Sequence, residues 1–424
     1  MRKLYSFFIY LLTPLALLHL ALRGLRNRDY LKRWAERFGL FDTRPGKGGI
    51  VVHAASLGEV NAASPLIREL QDRFPDLPLS ITTLSPTGSD RVRSLFSDSV
   101  FHVYVPLDLP GSVRRFFERT QPGLLLIMET EIWPNLYFEA ARKGVPIVMA
   151  NARISETSIG AYRRLGHFFG PTLRSVTRIA AQSARDAERL VGIGADPEAI
   201  TVTGNLKFDV HIPSSLLEQA EPIRLAWGMD RLVLLAGSTH ESDETAVLKA
   251  FKPMLAEFPA ALLVIVPRHP ERFGRSAQLA RSAGLQVSFR SEGISCPRDT
   301  QCFIVDSMGE LMLFYAACDV AFVGGSMERI GGHNVLEPAA LGKPVIVGPH
   351  TFNFQDIARQ LIDRHAALQI QDSSDLEQAT RRLFNEPELR DRMGRAGIEL
   401  VKSGQGALER TLEVIESVIT RATG

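Results

Sequence analysis

Three cysteines in 424 residues, Cys296, Cys302 and Cys318, are too few and too irregularly spaced for a disulfide framework or a zinc site. They read as reduced thiols of a cytosolic compartment. Neither sign of charge is in excess. Lys and Arg number 49 against 47 Asp and Glu, a net +2, so no global field selects nucleic acid as a partner. No GxGxxG, GxxxxGK[ST] or HExxH occurs, which removes the main support for dinucleotide, P-loop and zincin chemistry. No Asp-x-Asp pair occurs either, so a common metal-binding signal is missing. Glu129-Thr130-Glu131 keeps a pair of oxygen ligands for a divalent ion as a minor alternative.

What is present is globular. Hydrophobic residues make up 45% and charged residues 23%, and the length suits two or three domains. Leu4 to Leu22 carries no charge, and about twenty such residues can span a bilayer. Pro14 and His19 interrupt it, and no small-x-small cleavage site follows. Arg23, Arg26, Arg28, Lys32, Arg33 and Arg37 lie behind it, against Arg2 and Lys3 ahead, which places the body on the cytoplasmic side. The segment is expected to be a membrane anchor, either spanning or lying in the interface.

From Gly49 onward short apolar strands alternate with helical runs. IVVHAA, LPLSITTLS, HVYVPLD, LLLIMET, PIVMANAR, TRIAAQS and ITVTGNLKFD read as one series of strands. RLVLLAGS, ALLVIVPRH, QCFIVDS, DVAFVGG and PVIVG read as a second. The alternation predicts two doubly wound parallel sheets facing a cleft, with ligands at the strand carboxyl ends. The expected division is an anchor helix over 1–24, a domain over 25–211, a linker over 212–230 and a domain over 231–424.

Several residues at expected strand ends suit chemistry. Glu59 follows the first strand. Ser56-x-x-Glu59 is equally a capping box, with Glu59 at the third helical position, and spacing alone divides these readings evenly. Glu129 and Glu131 follow LLLIM, where acids and a Trp also suit a solvated loop. Lys207 precedes the linker and suits a carboxylate or phosphate. Arg268 and His269 follow a strand, between Pro267 and Pro270, and suit an anion or a simple turn. Met308, Gly309 and Glu310 open an expected helix whose free N–H groups suit a phosphate. Ser238-x-x-Glu241 repeats the capping-box pattern. The stretch Gly324 to Pro349, GGSMERIGGHNVLEPAALGKPVIVGP, outlines a strand end, a glycine-rich loop, a helix and a strand. Glycine pairs alone are shared by ordinary crossovers. The order Gly-Gly-His-Asn-x-x-Glu-Pro is more specific, and Glu337 suits ribose hydroxyls.

That order resembles the donor site of GT-B glycosyltransferases, and in particular of 3-deoxy-D-manno-octulosonic acid (Kdo) transferases of lipopolysaccharide synthesis. The resemblance runs in order through S-L-G-E, SPTG, METEIWPNL, NAR, GNLKFD, PRHPERF, D-x-MGEL, FVGGS, GGHN-x-LEP and GPHTFNF. It implies two Rossmann-like domains, the first for the acceptor and the second for the donor. It implies transfer of Kdo from CMP-Kdo to a lipid A precursor (lipid IVA) at the inner membrane, with inversion and with neither cofactor nor catalytic metal. By the same resemblance Glu59 is the base, Glu129 or Glu131 assists the transition state, and Lys207 contributes at the site. Arg268, His269, Met308, Gly309, Glu310, Asn334, Val335, Leu336 and Glu337 would hold CMP-Kdo. Two other classes are a soluble nucleotide-sugar epimerase on the same fold and a membrane-anchored binding protein without catalysis.

Overall fold

The computed structural model describes residues 2–42, 45–154, 159, 160, 162 and 166–423. The two end residues of the expected domains, 1 and 424, lie outside them. The chain forms two compact units, Met1–Asp209 with Gln405–Gly424, and Val210–Gly404.

The first unit is built on a seven-stranded parallel sheet: β1 (Ile50–His53), β2 (Leu79–Thr83), β3 (Phe101–Tyr104), β4 (Leu124–Met128), β5 (Ile147–Ala152), β6 (Arg178–Ala181) and β7 (Ile200–Val202). The order is β3-β2-β1-β4-β5-β6-β7. Ile50 lies opposite Leu79 on one side and Leu124 on the other. β1, β2 and β4 are buried throughout because helices cover both faces, which is why they read as unbroken apolar runs. Strand order reverses beside β1, between β1 and β4, and loops leaving those two strands open the crevice where such sheets bind ligands.

The second unit repeats the plan with β8 (Val233–Thr239), β9 (Leu262–Pro267), β10 (Val287–Phe289), β11 (Cys302–Ile304), β12 (Val320–Val323), β13 (Val345–Val347) and β14 (Ala367–Gln369). The order is β10-β11-β9-β8-β12-β13-β14, and it reverses between β8 and β12.

Two segments differ from the sequence expectation. The stretch expected as a linker holds the helix Leu216–Trp227, which buries Ala220, Ile223 and Trp227 in the second unit's core. Trp227 stacks on Phe314 at 5.9 Å. Pro213 and Pro222 masked this helix, although Pro222 sits inside it. The final helix, Ala407–Thr423, belongs to the first unit instead of the second. Its Ala407, Leu412, Ile415 and Val418 join the cluster formed by Val60, Leu66 and Leu70.

Candidate functional site

The loop after β1 is short, and Ser56 caps the helix Leu57–Arg73 by accepting from the Glu59 N–H at 3.3 Å. Glu59 therefore stands in the first turn of the helix, half-buried at the switch point. One carboxylate oxygen accepts from the Ala55 N–H at 2.8 Å and the other from the Ser56 hydroxyl at 2.9 Å. The capping reading holds, since the side chain binds back to the turn. Burial pushes its carboxyl up to about 7, helped by the negative charges of Glu129 and Glu131 and opposed by the two hydrogen bonds. A carboxylate balanced near neutrality can take a proton and give it up.

The facing loop, after β4, supplies the other two acids. Glu129 has φ +55°, a left-handed conformation rare for a residue of this type. Its carboxylate accepts from Arg153 Nε at 3.0 Å. Glu131 accepts from Trp133 Nε1 at 3.0 Å, and burial raises its carboxyl. Both acids are engaged by neighbouring side chains. The Trp133 ring stands edge-on to His53, at the end of β1, at 6.2 Å. Lys207 lies in a 3-10 turn, Leu206–Phe208, beyond β7. Asn151, itself at φ +54°, holds that turn through the Leu206 N–H at 3.1 Å. The turn packs against the Glu59 helix, with Leu206 in the same cluster as Val60. The fold thus brings Lys207 to the side of the sheet that carries Glu59.

In the second unit the loops of β8, β9 and β12 converge. Arg268 donates its N–H to the Thr239 carbonyl at 3.0 Å. His240 and His333 stack at 5.3 Å with Nε2 atoms 3.0 Å apart, and His269 stands edge-on to His240 at 5.5 Å. Burial pushes His333 down to about 3, reinforced by the positive charge of Arg268. Asn334 Nδ2 donates to Glu337 at 3.0 Å, and Asn334 Oδ1 accepts from the Leu336 N–H at 3.1 Å. Burial raises the Glu337 carboxyl, while Asn334 and Arg268 oppose the rise. The side chains of Val335 and Leu336 are buried in the second unit. Their helix, Leu336–Ala340, is a short one. Met308 is exposed, Gly309 has φ +88°, and Glu310 binds Arg290 at 3.0 Å and the Ser307 hydroxyl. This loop leaves β11, next to β9 in the sheet.

The capping of the β8 helix differs from expectation. Helix Glu241–Met254 is capped at His240, whose N–H donates to Asp243 at 2.9 Å. Asp243 is fully buried and also accepts from Gly325 N at 2.7 Å and Met327 N at 3.1 Å. It fastens the glycine-rich loop to the helix start. The Ser238-x-x-Glu241 pattern is two residues out of register because β8 bulges between Gly237 and Thr239, with Ser238 at φ +53°. Asp243, His240 and His333 belong to this cluster too, beyond the residues expected from sequence. A capping box led by histidine carries little signal, although His333 lies inside the recognised motif.

Doubly wound sheets in two separate units, each with polar groups gathered where its strand order reverses, define the GT-B fold. A solved UDP-GlcNAc 2-epimerase from Neisseria meningitidis, bound to UDP-GlcNAc, shares this fold at TM-score 0.57 and 15% identity, over 87% of this chain and 100% of its own. Residues 32–210 match the family described as 3-deoxy-D-manno-octulosonic-acid transferase (kdotransferase), and residues 245–400 match glycosyl transferases group 1. The 3-deoxy-D-manno-octulosonic acid transferase of Haemophilus influenzae is 41% identical over 99% of both chains. That of Bordetella pertussis is 37% identical over 94% of this chain and 97% of its own. The chain belongs to the Kdo transferases, glycosyltransferases of lipopolysaccharide biosynthesis.

Proposed function

We propose that this Kdo transferase moves Kdo from CMP-Kdo to the lipid A precursor lipid IVA, with inversion and with Glu59 as general base. The observation that carries the reading is the Glu59 carboxyl at the switch point, raised to about 7. An acceptor hydroxyl attacking the anomeric carbon must lose its proton as the bond forms, and a carboxylate of that basicity takes it without a strong base. Glu129 or Glu131 assists as positive charge develops on the sugar, and Lys207 meets the donor's carboxylate or phosphate. The first unit takes the acceptor.

The second unit takes the donor. Arg268 and His269 meet its anionic groups, Glu337 and Asn334 its ribose, and the backbones of Met308, Gly309, Glu310, Val335 and Leu336 complete the nucleotide site. With cations supplied by the chain, no catalytic metal is required, and turnover is expected to survive EDTA. Magnesium-dependent recovery after EDTA would assign Glu129 and Glu131 to a metal instead. The apolar helix anchors the enzyme to the cytoplasmic side of the inner membrane.

The test is Glu59→Gln. Turnover at saturating CMP-Kdo and lipid IVA is expected to fall by roughly 10²–10⁴-fold, with CMP-Kdo affinity and cooperative unfolding retained. Turnover within a fewfold of the parent would leave Glu59 as a helix cap only.

A further inference from the structure

The helix Arg2–Arg26 is long and apolar enough to cross a bilayer, at about 37 Å for 1.5 Å per residue. Its own contacts argue against crossing. The start of the helix is fastened to the first unit. The Tyr5 hydroxyl hydrogen-bonds the buried Asp108 carboxylate, and Ser6 Oγ donates to Asn135 Oδ1 at 3.1 Å. The Arg2 guanidinium lies 3.5 Å from the centroid of the Phe138 ring. Its far end is fastened to the same unit. Arg23 covers the Tyr30 ring at 4.3 Å, and Leu31 packs so close to Gly24 that a Cβ there would meet it at 2.4 Å. The following turn, Trp34–Phe38, is held in turn by Arg115 Nε on the Phe38 carbonyl at 2.9 Å.

Between these ends the helix has two distinct faces. Tyr5, Ile9, Thr13, Leu17, Leu20 and Gly24 are half-buried or buried and recur every three or four residues. Leu4, Phe7, Leu11, Leu15, Leu18 and Leu22 recur at the same spacing and are 54–68% exposed. At about 100° per residue the two rows lie on opposite sides of the helix. The first row is the more shielded side, held to the protein at its two ends, and the other is hydrocarbon without a polar atom. Arg2, Lys3 and Arg23 flank the exposed row at its two ends.

We propose that this helix lies flat in the headgroup interface, its leucine and phenylalanine row in the acyl layer and its other face on the protein, without crossing the membrane. The inference rests on the anchoring role given above and fixes its geometry. A crossing helix would carry its start roughly 30 Å away, across the hydrocarbon, and so could not keep Tyr5 on Asp108 while Gly24 stays on Leu31. The occupant of the exposed row is a lipid surface, because an uncharged aliphatic row flanked by cations matches an acyl layer beneath anionic headgroups.

The experiment uses full-length Lys3→Cys in inner-membrane vesicles, treated with a membrane-impermeant maleimide. The three native cysteines are buried. Labelling is expected in inside-out vesicles and at least tenfold weaker in right-side-out ones. Strong labelling of the membrane-bound protein in right-side-out vesicles overturns this inference alone. A second variant, Leu11→Glu with Leu15→Glu, is expected to lower the partition coefficient onto phosphatidylglycerol-containing vesicles at least tenfold while CMP binding is kept. Unchanged sedimentation of that variant removes lipid as the occupant of the row. An unmodified chain that stays in the supernatant overturns the anchoring role and this inference together.

Discussion

Glu59 sits where burial and charge oppose hydrogen bonding. Its carboxyl is ordinarily protonated only below about 4.5 and here holds its proton up to about 7. A base works only when ionised, so kcat/KM is expected to fall as pH drops through 7, with its acid midpoint near that value. Glu129→Gln removes the carboxylate that acts more strongly on Glu59 of the two, so the midpoint should move to lower pH whatever happens to the rate. A pH–rate profile with the midpoint unmoved would mean that another group titrates. Stability follows the same proton with opposite sign. The folded state holds it more tightly than the unfolded chain, so Glu59 costs progressively more stability as pH rises from about 4.5 to 7, and its full cost above. The Gln variant is therefore expected to melt no lower than the parent at pH 8, which thermal unfolding would check. From the sequence, Glu59 and Glu129 were legible as acids at strand ends. The left-handed backbone of Glu129 and its Arg153 partner were not, because neither leaves a local signature.

At the scale of elements, the inner strands were legible and the outer ones less so. IVVH, LLLIM and LLVIV are apolar because both faces of a central parallel strand are covered. Val287–Phe289 and Ala367–Gln369 are three-residue edge strands, the first half-buried throughout and the second of mixed exposure, and no run marks them. The tie between the β8 helix and the glycine-rich loop was illegible for another reason. Asp243 and Gly325 are 82 residues apart, and only the β8–β12 pairing brings them together. Asp243→Ala leaves three backbone N–H groups without their acceptor, at about 1–3 kcal/mol for each one left buried. The expected result is a clearly lower melting temperature and weaker CMP binding. Normal CMP affinity in a folded variant would mean that the loop holds its shape without Asp243. Asp243→Asn can keep at most two of those acceptor contacts and should fall between the two.

At the scale of the molecule, the two doubly wound units follow from the alternation, but their boundaries do not. Proline hid the helix Leu216–Trp227, and chain order hid the fact that the last helix returns to the first unit. A fragment cut at 210–404 should fold as a soluble unit with Trp227 buried. A fragment cut at 231–424 lacks Trp227 and carries Leu412, Ile415 and Val418 without the cluster they fill. It is expected to sediment on concentration and to unfold at lower temperature, measured side by side by ultracentrifugation and calorimetry. Equal behaviour would show that the second unit depends little on the helix Leu216–Trp227 and tolerates the unpaired final helix.

The same interleaving has a consequence for synthesis on the ribosome. The first unit's sheet is complete once Asp209 has emerged, yet the groove for Ala407–Thr423 stays empty until the second unit has been made. At roughly 5–20 residues per second, that interval lasts on the order of ten to forty seconds. Throughout it Val60, Leu66 and Leu70 form an open greasy seam on the nascent chain. Chaperones that guard newborn chains therefore have their longest task at the seam and not at the sheets.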